Sequence, residues 1–234
     1  MMFVKYEKTY RIPVPQIDVP GKSILSKDEV RLLLAGKVSI EEKIDGANAG
    51  IIRHKEGFSL QKRGSLVGQS EHAQFQFFHG WANNIKYDQI MSVPPGHLIY
   101  GELCYVVHTI YYDKLLDYFL VFDILNSRTG HWMSRVERDN FCHDFGFTPV
   151  PLITEGYFNL EDLWNLVPKK SAFGDTAEGI VVKRYRKKEY LRGKIVKPEF
   201  IKHMEEHEHW MHQELKKNLV RKQWKYQLDG FMNM

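Results

Sequence analysis

The 234-residue chain has only two cysteines, Cys104 and Cys142. A disulfide framework is therefore excluded, and a reducing, cytoplasmic setting is expected. Long apolar runs are also missing. None approaches the roughly 18 residues that a membrane helix requires, so no membrane association is expected. The opening residues, Met1-Met2-Phe3-Val4-Lys5-Tyr6-Glu7-Lys8, lack an apolar stretch ending in small residues, and neither a signal peptide nor a processed leader is expected. Internal repeats, low-complexity tracts and obvious linkers are absent, which excludes a repeat array. Charge of one sign does not dominate: the net charge of +4 admits a nucleic-acid partner without demanding one. What remains is an ordinary globular composition, 43% hydrophobic and 13% aromatic, long enough for one sizeable core with a small appendage. The expected organisation is a catalytic domain over residues 1–200 and a helical extension over 201–234, acting as a monomer.

Element signals alternate along the chain. Ser26-Lys27-Asp28-Glu29 is a capping-box pattern, and the leucines at 32 to 34 followed by Gly36 predict a short helix closed by a glycine. From Val38 onward, Val38, Ile40 and Ile44 share one parity and Ser39, Glu41 and Lys43 the other, so a strand turns Lys43 away from its apolar face. Ala49 to Arg53 and Phe58 to Lys62 read as two more strands of an antiparallel meander, parted by Glu56-Gly57. Glu71 to Ile90 reads as helix interrupted at Gly80, ending before Pro94-Pro95-Gly96. His97 to Val107 and Tyr118 to Leu125 are apolar enough to be buried strands at the centre of the core. A second capping box, Ser134 to Glu137, opens a helix that ends near Phe145-Gly146, and Asn159 caps another through Leu166. Gly179 to Tyr185 is a further strand, and Ile201 to about Lys225 reads as a long, charged C-terminal helix. The fold class is α+β, with mainly antiparallel sheets and flanking helices.

One segment stands out for its chemistry, Glu42-Lys43-Ile44-Asp45-Gly46. Asp-Gly favours a hairpin bend on turn geometry alone, and a lysine two residues before it is also where a nucleophile would stand. Other polar clusters interrupt or border apolar strands in a fixed order: Gln61-Lys62-Arg63-Gly64-Ser65, Tyr100-Gly101-Glu102, Val121-Phe122-Asp123, Ala177-Glu178-Gly179-Ile180-Val181-Val182-Lys183, and Lys194-Ile195-Val196-Lys197. Each alone is an ordinary turn or strand edge.

Taken in order, these clusters resemble the motifs of the covalent nucleotidyltransferase superfamily of ATP-dependent ligases and mRNA capping enzymes. The resemblance spans roughly Lys5 to Phe200. Within the superfamily the chain is most similar to the RNA ligase 2 family, because Asn48 follows as Lys-Ile-Asp-Gly-Ala-Asn. The resemblance implies a nucleotidyltransferase domain, an ATP-grasp-like ligase adenylation domain, without the oligonucleotide-binding fold (OB-fold) that DNA ligases and capping enzymes carry after it. It implies Lys43 as the lysine that becomes adenylated, with Lys183, Lys194 and Lys197 as catalytic lysines at the α-phosphate. It implies nucleotide contacts from Glu42, Ile44, Asn48, Arg63, Glu102, Phe122 and Glu178. Asp45, Glu102 and Glu178 become the hard oxygen ligands of Mg²⁺ or Mn²⁺, directly or through water. Two departures stand out. The family separates its last two lysines by one residue, whereas Lys194 and Lys197 are separated by two, so either a β-bulge intervenes or only one of them faces the nucleotide. The arginine of the second motif matches Arg63 in preference to Lys62.

These residue types suit the chemistry. A lysine with the ordinary pKa of about 10.4 is neutral in about one molecule in 2,500 at pH 7, so its nucleophilicity depends on burial, neighbouring cations or a bound metal. The implied activity is ATP-dependent RNA ligation in three steps: lysyl-AMP formation, AMP transfer to a 5′-phosphate end, and displacement of AMP by a 3′-hydroxyl. RNA ends are the implied substrate, nicked duplex among them, with a separate end-healing enzyme as an expected partner. The alternatives are a compact DNA nick ligase, a GTP-dependent capping guanylyltransferase, and an RNA-binding protein that keeps the fold without the chemistry. Basic clusters at Lys183-Arg184-Tyr185-Arg186-Lys187-Lys188 and at Lys216, Lys217, Arg221 and Lys222 are candidate phosphate contacts. His203 and His207, one helical turn apart, read as an exposed polar helix face, since Met204 occupies the place where a zinc-protease motif needs Glu. Trp210 is expected to pack that helix onto the domain.

Overall fold

A computed structural model describes residues 3–17, 23–68, 72–186, 189–201 and 215–221. Ser26 opens α1 (Lys27–Leu34) with the reciprocal box: its hydroxyl accepts from the Glu29 N–H at 3.2 Å, and the Glu29 carboxylate accepts from the Ser26 N–H at 2.7 Å. The helix ends on Ala35 in a right-handed conformation and not on a left-handed glycine. Its last turn is satisfied from elsewhere, by the Arg184 guanidinium donating to the Leu32 carbonyl at 2.5 Å, a cation at the negative end of the helix. Next come β1 (Val38–Lys43), β2 (Ala47–Arg53), β3 (Phe58–Lys62) and β4 (Ser65–Leu66). Gly57, at φ 80°, turns the β2–β3 hairpin.

The helix expected over Glu71 to Ile90 is three pieces: α2 (Ala73–Gly80), a π-helical turn over Trp81–Ile85, and α3 (Tyr87–Ser92); Glu71 lies outside the described residues. The break falls one residue past Gly80, where the Lys86 N–H bonds the Trp81 carbonyl five residues back. Then follow β5 (His97–Leu103), β6 (Phe119–Asn126), β7 (His131–Trp132) and α4 (Arg135–Phe145), the last with the predicted Ser134–Glu137 box and a left-handed Gly146. The chain continues through β8 (Thr148–Pro149), β9 (Leu152–Gly156), α5 (Leu160–Leu163) with a 3₁₀ turn over Trp164–Leu166, β10 (Gly179–Arg186) and β11 (Glu189–Val196).

The chain divides into two compact units. The first comprises Met1–Tyr6, Gly46–Pro149 and Gln213–Met234, the second Glu7–Asp45 and Val150–His212. The first carries a seven-stranded sheet in the order β4-β3-β2-β5-β6-β7, antiparallel throughout, with β8 added parallel to β6. The second carries a four-stranded antiparallel sheet, β11-β10-β1-β9. The expected mixed fold with mainly antiparallel sheets is therefore present. Among the described residues no helix is long and apolar enough to cross a membrane.

Two expectations are corrected. Asp45-Gly46 is not a hairpin bend: β1 pairs with β9 and β10, and β2 with β3 and β5. Gly46 is needed for a close approach instead, since an added Cβ would stand 2.7 Å from the Leu103 carbonyl oxygen. The helix expected through Lys225 is absent over 215–221, where Asn218 is fully buried. Its side chain accepts from the Tyr112 N–H at 2.8 Å and donates to the Cys104 carbonyl at 2.9 Å. The Lys216 carbonyl accepts from the Val107 N–H at 2.8 Å. That pairing also explains why β5 stops at Leu103, since residues 104–107 pair with this segment and not with β6. Most of that expected helix, with His203, His207 and Trp210, lies outside the described residues.

Strand alternation sorts each sheet's faces. In the second unit Val38 and Ile40 of β1, Ile180 and Val182 of β10, and Ile195 of β11 form the apolar face, covered by Ile12 and Leu25. The opposite face carries Ser39, Glu41, Lys43, Lys183 and Lys194, and its first two strands are buried as well. In the first unit Phe78, Trp81 and Phe119 pack with ring centroids 5.1–5.6 Å apart. A second cluster gathers Tyr6, Ile52, Leu98, Tyr100 and Leu125. Buried rings of this size each contribute about 1.5–3 kcal/mol.

Candidate active site

In the second unit Lys43 ends β1 opposite Gly179, which brings it beside Glu178. Its ammonium donates to the Glu178 carboxylate at 2.5 Å, with the two side chains 19% and 7% exposed. Burial pushes the Glu178 carboxyl above its ordinary range. Lys43 pulls it back, the like charge of Asp45 pushes it further up, and Lys194 draws it down. Lys43 is thus held in a nearly dry setting by a carboxylate that itself resists ionisation.

Two strand positions back on the same face, Glu41 takes the Lys183 ammonium at 2.7 Å, and both side chains are all but inaccessible at 1% and 2%. Lys183 is therefore matched inside the sheet and does not belong to a solvated basic cluster. Lys194, opposite Val181, shares the face of Lys43 and Lys183. No bulge restores the family spacing: the β10–β11 register runs unbroken from Gly179↔Val196 to Arg186↔Glu189. Instead β11 ends at Val196, and Lys197 stands one residue beyond it. Its N–H donates to the Glu178 carbonyl at 3.0 Å and its ammonium to the Lys169 carbonyl at 3.3 Å. The two lysines are divided, Lys194 beside Glu178 and Lys197 beside Glu42.

Glu42 faces the apolar side. One carboxylate oxygen accepts from the Ala172 N–H at 2.9 Å; the other is buried with no hydrogen-bond partner among the described residues. Burial pushes its carboxyl up, opposed by Ala172, Ser171 and Lys197. A folded-state pKa raised above the unfolded value gives stability that is complete below the unfolded pKa and is lost as pH rises through the folded one. Glu42→Gln keeps the acceptor for Ala172 and removes the titration. Its melting temperature should match the wild type in acid and exceed it increasingly as pH rises toward neutrality. A gap that stays constant across the titration would refute this. Ile44, just past β1, is buried at 3%.

In the first unit Asn48 of β2 stands opposite Glu102 of β5. On the same face the next row is Gln61, Gly50 and Tyr100. The β5–β6 register shifts here: Tyr100 pairs with Asp123 and Gly101 with Val121, leaving Phe122 as the extra residue of a bulge. A bulge re-aims side chains, and this one puts Phe122 and Asp123 on the face of Asn48 and Glu102. Tyr6 touches both, its hydroxyl donating to the Asp123 carboxylate and its ring 4.9 Å from that of Phe122. Phe122 is only partly buried. Arg63 stands exposed in the β3–β4 turn. Lys62 is on the other face of β3, its ammonium 5.8 Å from the Phe75 ring. The second-motif residue on the Asn48–Glu102 face is Gln61.

Among the described residues no three His, Cys, Asp or Glu side chains are gathered as a ready metal cage. Mg²⁺ is ordinarily held by one or two carboxylates together with substrate phosphates and water. The neighbouring carboxylates Asp45 and Glu178 fit that pattern. Of the basic clusters, Arg184 is spent on α1, and Lys216 and Lys217 lie over the rings of Tyr111 and Tyr105 at 4.9 and 5.2 Å. Arg221 is exposed. Lys187, Lys188 and Lys222 are outside the described residues. Sequence reasoning missed Glu41 as the partner of Lys183, and Tyr6 and Gln61 as neighbours of the Phe122 and Asn48 face. Parity hinted at the first, and nothing local signalled the others.

The family model for RNA ligase matches residues 36–197. No curated protein sequence matches the chain significantly. Among solved structures, a variant of the Naegleria gruberi RNA ligase with AMP and Mn is similar at a TM-score of 0.65 and 17% identity, covering 85% of this chain and 57% of that one. Another variant of the same enzyme, with ATP and Mn, is similar at a TM-score of 0.61 and 17% identity, covering 75% and 54%. The chain thus spans a little over half the length of these enzymes, and at such identity the likeness is one of fold.

Proposed function

Because this chain belongs to the RNA ligase family, whose model covers residues 36–197, we propose that it is an ATP-dependent RNA ligase built on a nucleotidyltransferase domain, with residues 1–200 as its catalytic part. The observation that carries the reading is the nearly dry contact of Lys43 with Glu178 at 2.5 Å, flanked by Asp45 and Lys194. The Lys43 nitrogen attacks the α-phosphorus of ATP. The N–P bond forms, the bond from α-phosphorus to the bridging oxygen breaks, pyrophosphate leaves, and the lysine gives up its proton. Glu178, whose carboxyl is already pushed up by burial, is the near group able to hold that proton. AMP then passes to the 5′-phosphate of an RNA end, and a 3′-hydroxyl displaces it to form the phosphodiester. Lys194 supplies positive charge at the phosphorus, where preorganised cations lower the barrier most, and Lys183 keeps the face it shares with Glu41 electrically balanced.

A divalent cation, Mg²⁺ or Mn²⁺, would be held by Asp45 and Glu178, with Glu102 as a further oxygen donor, and would neutralise carboxylate and phosphate charge. Phe122 offers its ring to the adenine, by the stacking preference of bases for aromatic faces, and Asn48 and Glu102 bind the rest of the nucleoside. The test is a pulse and chase. The protein is mixed with α-labelled ATP or GTP and a divalent metal, denatured to detect covalent label, then chased with a 5′-phosphorylated RNA and a 3′-hydroxyl acceptor. Label from ATP that moves onto RNA and then into a sealed strand is expected. Label from GTP only, sealing of all-DNA nicks only, or no label at all would overturn the reading.

A further inference from the structure

Gln61 is 1% exposed and stands on β3 opposite Gly50. Its amide nitrogen donates to the Val4 carbonyl at 3.2 Å, and the Tyr100 hydroxyl donates to the same carbonyl at 3.0 Å. Turning the amide over would set two carbonyl oxygens against each other, so chemistry fixes its orientation. The other end, Oε1, is buried and has no hydrogen-bond partner among the described residues. One row along the same face, the Oδ1 of Asn48 is buried and without a partner in the same sense. Glu102 lies directly across from Asn48. Between Asn48 and the Gln61 row stands Gly50, which puts no side chain in the way; a Cβ there would come within 3.0 Å of the Gln61 Cγ and 3.1 Å of the Ile99 carbonyl oxygen.

A buried acceptor left without a donor is costly. Two of them one row apart, beside a carboxylate, make a patch that offers only acceptors. Phosphate also offers acceptors and is repelled. A group presenting donors on adjacent atoms is what the patch fits, and within a nucleotide that is the ribose diol.

We infer that Gln61 is a specificity-determining residue that accepts, through Oε1, a hydrogen bond from a ribose hydroxyl of the nucleotide, with Asn48 Oδ1 taking the neighbouring hydroxyl. This rests on the RNA ligase reading. Val4 and Tyr100 act as positioning groups, because the carbonyl they share holds the Gln61 amide with its oxygen toward the nucleotide. A site built to bond a hydroxyl rejects the analogue that lacks it, since its own polar atoms are then left unpaired.

The experiment measures lysyl-adenylate formation against concentration for ATP, 2′-deoxy-ATP, 3′-deoxy-ATP and inosine triphosphate, in wild type, Gln61→Met and Gln61→Glu. The wild type should prefer ATP to at least one deoxy analogue by about tenfold or more in half-saturating concentration. Gln61→Met should raise that concentration for ATP by about the same factor, leave the deoxy analogue unchanged, and leave the maximal rate within about twofold. Gln61→Glu, protonated in its dry site, keeps one donor for Val4 and one acceptor and should restore the preference. A preference that survives in Gln61→Met, an equal loss for ATP and the deoxy analogues, or a change confined to inosine triphosphate overturns the inference. Should Gln61→Met fail to fold, Gln61→Ser carries the same comparison. A wild type that never becomes labelled defeats the function itself, whereas one that is labelled with no ribose preference defeats only this inference.

Discussion

Lys43→Ala should abolish the denaturation-stable label from ATP, with a loss of at least about four orders of magnitude, as expected when a covalent nucleophile is removed. Lys43→Arg should fail equally, because arginine keeps the charge but stays protonated throughout the accessible pH range. Lys43 stands at the end of β1 with its side chain 19% exposed, so its removal opens no large cavity in the apolar face and the fold should persist. The discriminating control is RNA that already carries a 5′-adenylate. Sealing it requires only that a 3′-hydroxyl displace AMP, a step in which no lysine nitrogen bonds to phosphorus. Lys43→Ala should therefore retain measurable sealing of pre-adenylated RNA in the absence of ATP. Label that persists in Lys43→Ala would place the nucleophile elsewhere. Loss of both activities together with loss of the folded circular-dichroism signal would mark a structural effect and call for the arginine variant instead.

The second large effect concerns stability. Glu41 and Lys183 form an ion pair at 2.7 Å with side chains 1% and 2% exposed. Breaking such a pair from one side leaves a buried charge unmatched and costs about 3–5 kcal/mol, whereas replacing both partners by apolar groups of similar volume is often neutral. Glu41→Gln and Lys183→Met should each lower the free energy of unfolding by about that amount in a denaturant titration. Glu41→Leu combined with Lys183→Met should recover most of it, giving a coupling well above 1 kcal/mol in the double-mutant cycle, roughly as for directly contacting charges. The recovered double variant should still label with ATP at least about tenfold more slowly, because a charge on the face of Lys43 has been erased. Single variants as stable as the wild type would show that the pair is relieved by solvent and is not buried as described.

The parts of this protein that could be read from the chain are those governed by near neighbours. Ser26 with Glu29 and Ser134 with Glu137 close their capping boxes within one helical turn, and Gly57 and Gly146 occupy left-handed positions next to the elements they end. The alternation around Lys43 placed it opposite Val38 and Ile40 because strand parity is a property of consecutive residues. The polar face it joins turned out to be buried and ion-paired, which parity does not reveal. Where expectation and structure part, the cause is a partner distant in sequence. Asp45-Gly46 joins two strands that pair elsewhere, and the residues 215–221 taken for helix are held extended by the peptide groups of 104–107.

From the order of its motifs alone, the sequence determined the family, the lysine placed to be the nucleophile and the mixed antiparallel architecture, since these rest on local patterns and on the succession of short segments. The tertiary structure decided which side chains meet. Cross-strand register assigned Glu41 to Lys183 and Glu178 to Lys43, the end of β11 divided Lys194 from Lys197, and a single inserted residue in β6 brought Phe122 and Asp123 to one face. The physical reason is the two-residue period of a strand: one residue more or less, set by pairing with chain far away, reverses the side on which every later side chain stands.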